Sequence, residues 1–294
     1  MAYTTSDLLT SIHNRGNIPS TTNDTNVNSS NNLLNIATEQ LHTKLYPIIQ
    51  STREEFYVTR KDFTITASQN EYVIPSRASG LVLRDVQLVT GTDVQSLGII
   101  DSEYVTTTAS GNVSGYYLEH NKIILYPTPA STTGTLRVRY YLRPSRLTIT
   151  SNCGQISSID TVTNQVVVSA IPSTWAAGTS LDFVQASAPY ANLSIDQAAT
   201  VVSGTTLTFA SLPSTLAVGD WLAPAEYSPI PQLPYEFHAI LAQLTVCKVL
   251  EAMGDREGAT LAFKDVQTDL ENMLKLVTPR NQGERKKVIN RNWM

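Results

Sequence analysis

The stretch LPYEFHAILAQLTVCKVLEAMGD, residues 233–255, decides the fold. Phe237, Ile240, Leu241, Leu244 and Cys247 recur at spacings of three and four, which stripes one face of a helix running to about Met253. Pro234 stands just ahead of that helix, where proline is tolerated, and Gly254 breaks it. Residues 255–277 form a second helix, with Ala259, Phe263, Val266, Leu270, Met273 and Val277 at alternating spacings of four and three. That seam suits packing along another helix, and Pro279 stops it. This pair cannot bury its apolar faces alone, and further helical periodicity lies at the opposite end of the chain. Residues 5–14 place Leu8, Leu9 and Ile12 on one face, with Ser6 or Thr5 as the expected cap. Residues 31–56 read as a long helix carrying Leu34, Ala37, Leu41, Leu45 and Ile48. Pro47 inside it should kink the helix or split it. The economical solution is one antiparallel bundle made from both chain ends, residues 1–58 plus 229–279.

Between the helical ends the apolar period changes to two. Phe63, Ile65 and Ala67 alternate with Thr and Ser, and Tyr72, Leu83, Tyr117, Ile123, Leu136, Val138 and Tyr140 continue the pattern. Turns at Gly91, Asn121 and Pro127 separate the runs, so residues 59–149 form an antiparallel β domain. Residues 150–228 differ in character, containing no Lys or Arg. IPSTWAAGTSLDFV from Ile171 resembles LPSTLAVGDWLAPA from Leu212, a repeat at a spacing of 41 residues. Two related β units packed face to face as a barrel or sandwich are expected, with Trp175, Leu181, Phe183, Leu216 and Trp221 in the core. The fold class is α+β: a helical bundle from which an antiparallel β domain and an inserted all-β domain project.

Composition narrows the function. Charged residues make up 16%, against roughly 25% in an average soluble domain. The net charge of −4 argues against a general nucleic-acid binder. Residues 1–10 lack the basic and apolar regions of a secretory leader, and no run approaches the ~18 apolar residues of a membrane span, so folding in a cytoplasm is expected. Cys153 and Cys247 suggest neither a disulfide framework nor a metal site, and Cys247 reads as a buried thiol. His13, His42, His120 and His238 are scattered, with no partner at ligand spacing. No phosphate-binding glycine loop occurs, and GNVSG from Gly111 is a turn with its serine one place late for a nucleophile elbow. Carboxylate pairs among Glu54, Glu55, Asp85, Asp93 and Asp101 are left open, because a hydrolytic dyad has no sequence signature. The expectation is a protein with no enzymatic activity, no cofactor and no metal.

Two polar segments lie outside the periodic regions. Residues 17–32 read as a loop, serving as a linker or a docking segment. Residues 280–294 are basic, with Arg280, Arg285, Lys286, Lys287 and Arg291 against Glu284. They also carry Val288, Ile289 and Trp293, too little apolar surface to fold alone, so they read as a tail that orders on a partner.

The chain resembles the head-to-tail connector adaptors of tailed bacteriophages. The resemblance is carried by Arg15-Gly16 and Ile18-Pro19 after a short helix, and by LNIATEQLHTKLYPIIQ from Leu34. YVIPSRASG from Tyr72 continues it, with Pro75, Arg77 and Ala78 in a Pro-x-Arg-Ala arrangement. YYLEHNKIILYPTP from Tyr116, LRVRYYLRPSRL from Leu136 and the helical return from Leu233 complete it. It covers roughly residues 5–148 and 229–294, leaving 150–228 as an insertion. The resemblance implies a structural virion protein, assembled in the host cytoplasm, that forms a homo-oligomeric ring, commonly twelvefold, beneath the portal. The ring would surround a channel for double-stranded DNA without reading its sequence. Its neighbours would be the portal protein and a downstream tail or nozzle protein, with no membrane. Residues 280–294 would then dock on the portal; a solvated end and nonspecific DNA contact are the alternatives for that tail. Two other classes stand beside this one. A carbohydrate-binding or tail-fibre-like β module would use Trp175 or Trp221 to stack on sugars, and a virion-associated hydrolase would need a constellation the sequence does not display.

Overall fold

The structure is a computed structural model that describes residues 3–21, 23, 26–105, 109–132 and 134–277. Helix α1 (Thr5–Gly16) starts with a reciprocal cap. The Asp7 N–H donates to Thr4 Oγ1 at 3.4 Å and the Thr4 N–H to Asp7 Oδ2 at 2.8 Å. The cap is therefore Thr4, not Ser6 or Thr5. Thr5 lies inside the helix, fully buried, and its hydroxyl donates to the Thr148 carbonyl at 2.7 Å.

The expected long helix is built from several pieces. α2 (Ser30–Gln40) passes into a π turn at Leu41–Leu45, then α3 (Tyr46–Thr52), and a 3₁₀ turn at Glu54–Tyr57 follows. The Tyr46 N–H donates to the Leu41 carbonyl, five residues back. Pro47 has no N–H, and in a regular α-helix its ring would strike the carbonyl four residues earlier. The wider turn accommodates both, so the helical path continues past Pro47 and ends at Thr52, short of the expected residue 56. Leu33, Leu41, Leu45 and Ile49 all reach zero exposure along this path.

α4 (His238–Met253) and α5 (Arg256–Val277) follow the sequence reading closely. Gly254, at φ 91°, ends α4: its N–H donates to the Glu251 carbonyl and the Asp255 N–H to the Leu250 carbonyl, as only a left-handed residue allows cheaply. α4 packs against α1, α2 and α5, and it buries Ala242, Val246 and Val249 besides the expected stripe. Residues from both chain ends thus share one apolar cluster around α4, which includes Leu8, Leu34, Ile49, Phe237, Leu241 and Val266.

The first β region holds β1 (Val58–Thr64), β2 (Glu71–Val73), β3 (Ala78–Thr90), β4 (Asp93–Ser96) and β5 (Gly98–Ile99). It continues through β6 (Ser110–Gly111), β7 (Gly115–Glu119), β8 (Lys122–Tyr126), β9 (Thr128–Pro129) and β10 (Thr135–Leu142). One sheet runs β1-β10-β3-β4 and another β2-β8-β7-β5. Their inner faces meet through Val86, Leu136, Val138 and Tyr140 on one side and Tyr72, Tyr116, Ile123 and Leu125 on the other.

β11 (Arg146–Leu147) and β18 (Tyr227–Ser228) pair in parallel and bracket a closed barrel. The pair sets the segments that enter and leave the barrel side by side. It is fixed to the helices where the Leu147 N–H donates to Thr38 Oγ1 at 3.0 Å and the Thr5 N–H to the Pro229 carbonyl at 2.7 Å.

The barrel contains β12 (Gly154–Asp160), β13 (Gln165–Val168), β14 (Ser180–Val184), β15 (Asn192–Ser203), β16 (Thr206–Phe209) and β17 (Trp221–Pro224), in the order β12-β13-β16-β15-β14-β17. The sequence repeat maps β13 onto β16 and β14 onto β17. The two copies do not stack face to face as expected; they interleave. β12 pairs with β17 and β15 with β14, each across the copy boundary. The register places a pseudo-twofold axis through two residue pairs that the repeat itself relates, Val166 with Leu207 and Asp182 with Ala223. The core contains Val166, Trp175, Leu181, Phe183, Leu207, Phe209 and Leu222. Trp221 is a correction: it faces outward on β17 and packs against Cys153, Val184 and Ala223, because strand alternation turns Leu222 inward. Phe183 has zero exposure and meets Phe209 edge-on with centroids 4.9 Å apart. Phe183→Ala should cost about 3–5 kcal/mol in urea unfolding; a loss under about 1 kcal/mol would show that the barrel core is not packed this way.

Candidate functional site

Helices, sandwich and barrel meet around Arg77, in the turn between β2 and β3. Arg77 is 3% exposed and Asp182 0%. The guanidinium grips the carboxylate with two bonds, Nη2 to Oδ2 at 2.8 Å and Nη1 to Oδ1 at 3.2 Å. Nη1 also donates to Asp196 Oδ1 at 3.2 Å, and Nη2 to Ser145 Oγ at 3.3 Å. Asp182 accepts two further bonds, from the Asp196 N–H at 2.9 Å and the Glu226 N–H at 3.1 Å. Burial pushes the Asp182 carboxyl up, and Arg77 with the two N–H groups pulls against that. Burial opposes the Arg77 charge, yet Asp182 and Asp196 outweigh it and hold the guanidinium firmly protonated.

The network reaches the helices through Gln232. Its Oε1 accepts from the Ser145 N–H at 2.8 Å, its Nε2 donates to Asn192 Oδ1 at 2.7 Å, and its carbonyl accepts from the Tyr57 hydroxyl at 2.8 Å. Tyr57 sits in the helical cluster, Ser145 follows β10, and Asn192 opens β15. One buried polar chain therefore ties the three parts together, and its chemistry is that of a rigid joint.

A second joint lies at the head of α4. His238 is 2% exposed, and Tyr3, Tyr190 and Tyr235 surround its ring with centroids at 4.7, 5.3 and 5.7 Å. Its Nε2 lies 3.2 Å from the Pro231 carbonyl, which accepts. Burial pushes its pKa down to about 4. His42 is held by the Pro144 carbonyl at 2.9 Å and His13 by the Ile18 carbonyl at 2.9 Å. His42 is thus half-buried at the edge of its helix, whereas His238 is enclosed.

Among the described residues the histidines His13, His42 and His238 and the candidate acids Glu54, Glu55, Asp85 and Asp101 are taken up in separate contacts. Among the described residues no group of His, Cys, Asp and Glu could hold a metal ion. Glu54 and Glu55 are taken up by Arg84, Arg139 and Tyr141, and Asp85 by Arg139. Asp101 caps a 3₁₀ turn by accepting from the Glu103 N–H at 3.2 Å. Trp175 is buried in the barrel core and presents no indole face for a sugar, whereas Trp221 is half-covered on the outer side of β17. Cys247 is buried, and burial pushes its thiol pKa up. No described helix is long and apolar enough to cross a membrane. The predicted docking residues Arg280, Arg285, Lys286, Lys287, Val288, Ile289, Arg291 and Trp293 lie outside the described residues.

A family model described as SU10 adaptor protein matches residues 3–179, more than half of the chain. The match runs through α1–α3, the sandwich and the first two barrel strands, and it includes Arg77 and Ser145 but stops just before Asp182. No curated protein matches the chain.

Two outcomes follow from the joints. Arg77→Ala should cost about 3–5 kcal/mol in urea unfolding, because it strands a buried carboxylate. Arg77→Lys should recover only part of that, since an ammonium cannot span both carboxylate oxygens. A cost near zero for Arg77→Ala would show the joint to be ornamental. His238 takes up a proton near pH 6.5 when unfolded but only near pH 4 when folded, so the unfolded chain binds more protons in that window. Stability should be complete above about pH 6.5 and fall by about 3 kcal/mol as the pH drops to 4. His238→Phe should flatten that fall in pH-dependent melting; an unchanged slope would assign it to other groups.

Proposed function

Because the chain belongs to the SU10 adaptor protein family, the head-to-tail adaptors of tailed bacteriophages, we propose that it forms a homo-oligomeric ring joining the portal to the tail. The observation that carries this is the family match over residues 3–179, which reaches from the first helix into the barrel. In this reading residues 1–58 plus 229–279 are the ring-forming helical bundle, and α4 with its shared cluster is what makes both chain ends one body. Residues 59–149 and 150–228 are β domains that face the next tail component, held at a fixed angle by the Arg77 joint. The ring encloses double-stranded DNA. A net charge of −4 suits such a channel, because dense phosphate contacts would release counterions and grip the passing duplex. The protein is a non-enzymatic virion component, and the burial of Trp175 in the barrel core favours this reading over a sugar-binding module.

The basic residues 280–294 dock on the portal, with charge steering the approach and Trp293 anchoring in an apolar pocket. Deleting residues 280–294 should weaken binding to portal-bearing heads at least about tenfold at low salt, and that loss should shrink as salt is raised, because screening removes the tail's contribution from the full chain. Undiminished binding of the truncated protein would sink the docking role.

A further inference from the structure

α5 is covered on one side only. Val266 is 3% exposed, and Ala262, Leu270 and Met273 lean on the cluster around α4. The two flanks of the helix differ in chemistry. On one flank, α5, α4 and the π turn enclose a groove of about 750 Å³. Leu244, Cys247 and Phe263 form its apolar lining, and Phe263 is 43% exposed there. Lys44, Lys248 and Arg256 stand on its rim against the single carboxylate of Glu251, which is paired with Lys248 at 2.8 Å. The opposite flank carries Leu261, Asp265 and Asp269, a row spaced four apart and therefore aligned along the helix. Leu261 is 63% exposed, both aspartates are exposed, and no cation lies in that row.

We propose that the Leu261–Asp265–Asp269 flank of α5 in one copy seats in the Lys44–Arg256–Phe263 groove of a second copy of this chain. Charge selects the occupant: the groove lining has three cations to one carboxylate, while the row has two carboxylates and no cation. Leu261 supplies apolar surface opposite Phe263. The two patches lie on opposite flanks of one helix, so each copy offers one and receives the other. That is a heterologous contact, the kind that generates a ring when its rotation closes. The proposal rests on the ring reading above and names the surface that would build the ring.

The test uses the full chain and analytical ultracentrifugation, with circular dichroism to verify folding. Asp265→Lys with Asp269→Lys makes both of a copy's patches basic, and Lys44→Glu with Arg256→Glu makes both acidic. All four side chains are exposed, so both variants should fold. Each variant alone should assemble at least about tenfold more weakly than the wild type. An equimolar mixture should recover the wild-type assembly, because unlike copies then complement each other at every contact. Variants that assemble as well as the wild type, or a mixture that stays apart although both partners are folded, would overturn this interface and leave the ring to another surface. A wild type that remains monomeric at every concentration would overturn the ring reading itself and this inference with it.

Discussion

The architecture depends on one buried ion pair, Arg77 with Asp182. Residues 150–228 contain no Lys or Arg, so a buried carboxylate on the barrel finds a cationic partner only in another part of the chain. Removing Asp182 and Arg77 from water is costly, and their attraction offsets that only when geometry is good and the remaining lone pairs are satisfied. Both conditions hold: the grip is bidentate, and two backbone N–H groups complete the carboxylate's shell. A pair of this kind contributes less to total stability than to uniqueness. An apolar contact between barrel and sandwich would tolerate sliding, whereas a guanidinium fork fixes position and angle together. For an adaptor of the kind proposed, a fixed angle between its parts is what the role needs.

The barrel's internal symmetry explains why the pair sits where it does. The register puts Asp182 opposite Ala223, on the pseudo-twofold axis that relates the two copies. At that point a duplicated barrel would present the same residue twice. Here one copy has a carboxylate and the other a methyl group, so the axis is marked as a single attachment point rather than two competing ones. Gln232 and Tyr57 then extend the joint into the helices, and the β11·β18 pair holds both connections of the insertion against the same helical cluster.

Much of this was legible in the sequence, because periodicity reports which face is buried. The stripe from Phe237 to Cys247, the alternation from Leu136 to Tyr140 and the repeat beginning at Ile171 and Leu212 each correspond to an element of the structure. What escaped was set by tertiary context. The π turn before Pro47 is one solution among several that a proline permits, and packing chooses it. The outward face of Trp221 is encoded in the repeat, which aligns Leu222 with Leu181, both in the core, and Trp221 with the exposed Ser180. Arg77 stood out within its motif, but nothing local pointed to a partner 105 residues away. The departure of Asp182 from Ala223 within the repeat was the available clue.

The central claim is that this chain is a ring-forming adaptor that binds the portal. Electron microscopy of the purified protein mixed with purified portal tests it most directly. The account predicts a closed ring of this protein stacked coaxially on the portal, with the barrel turned away from the axis. A monomer that never joins the portal would contradict it.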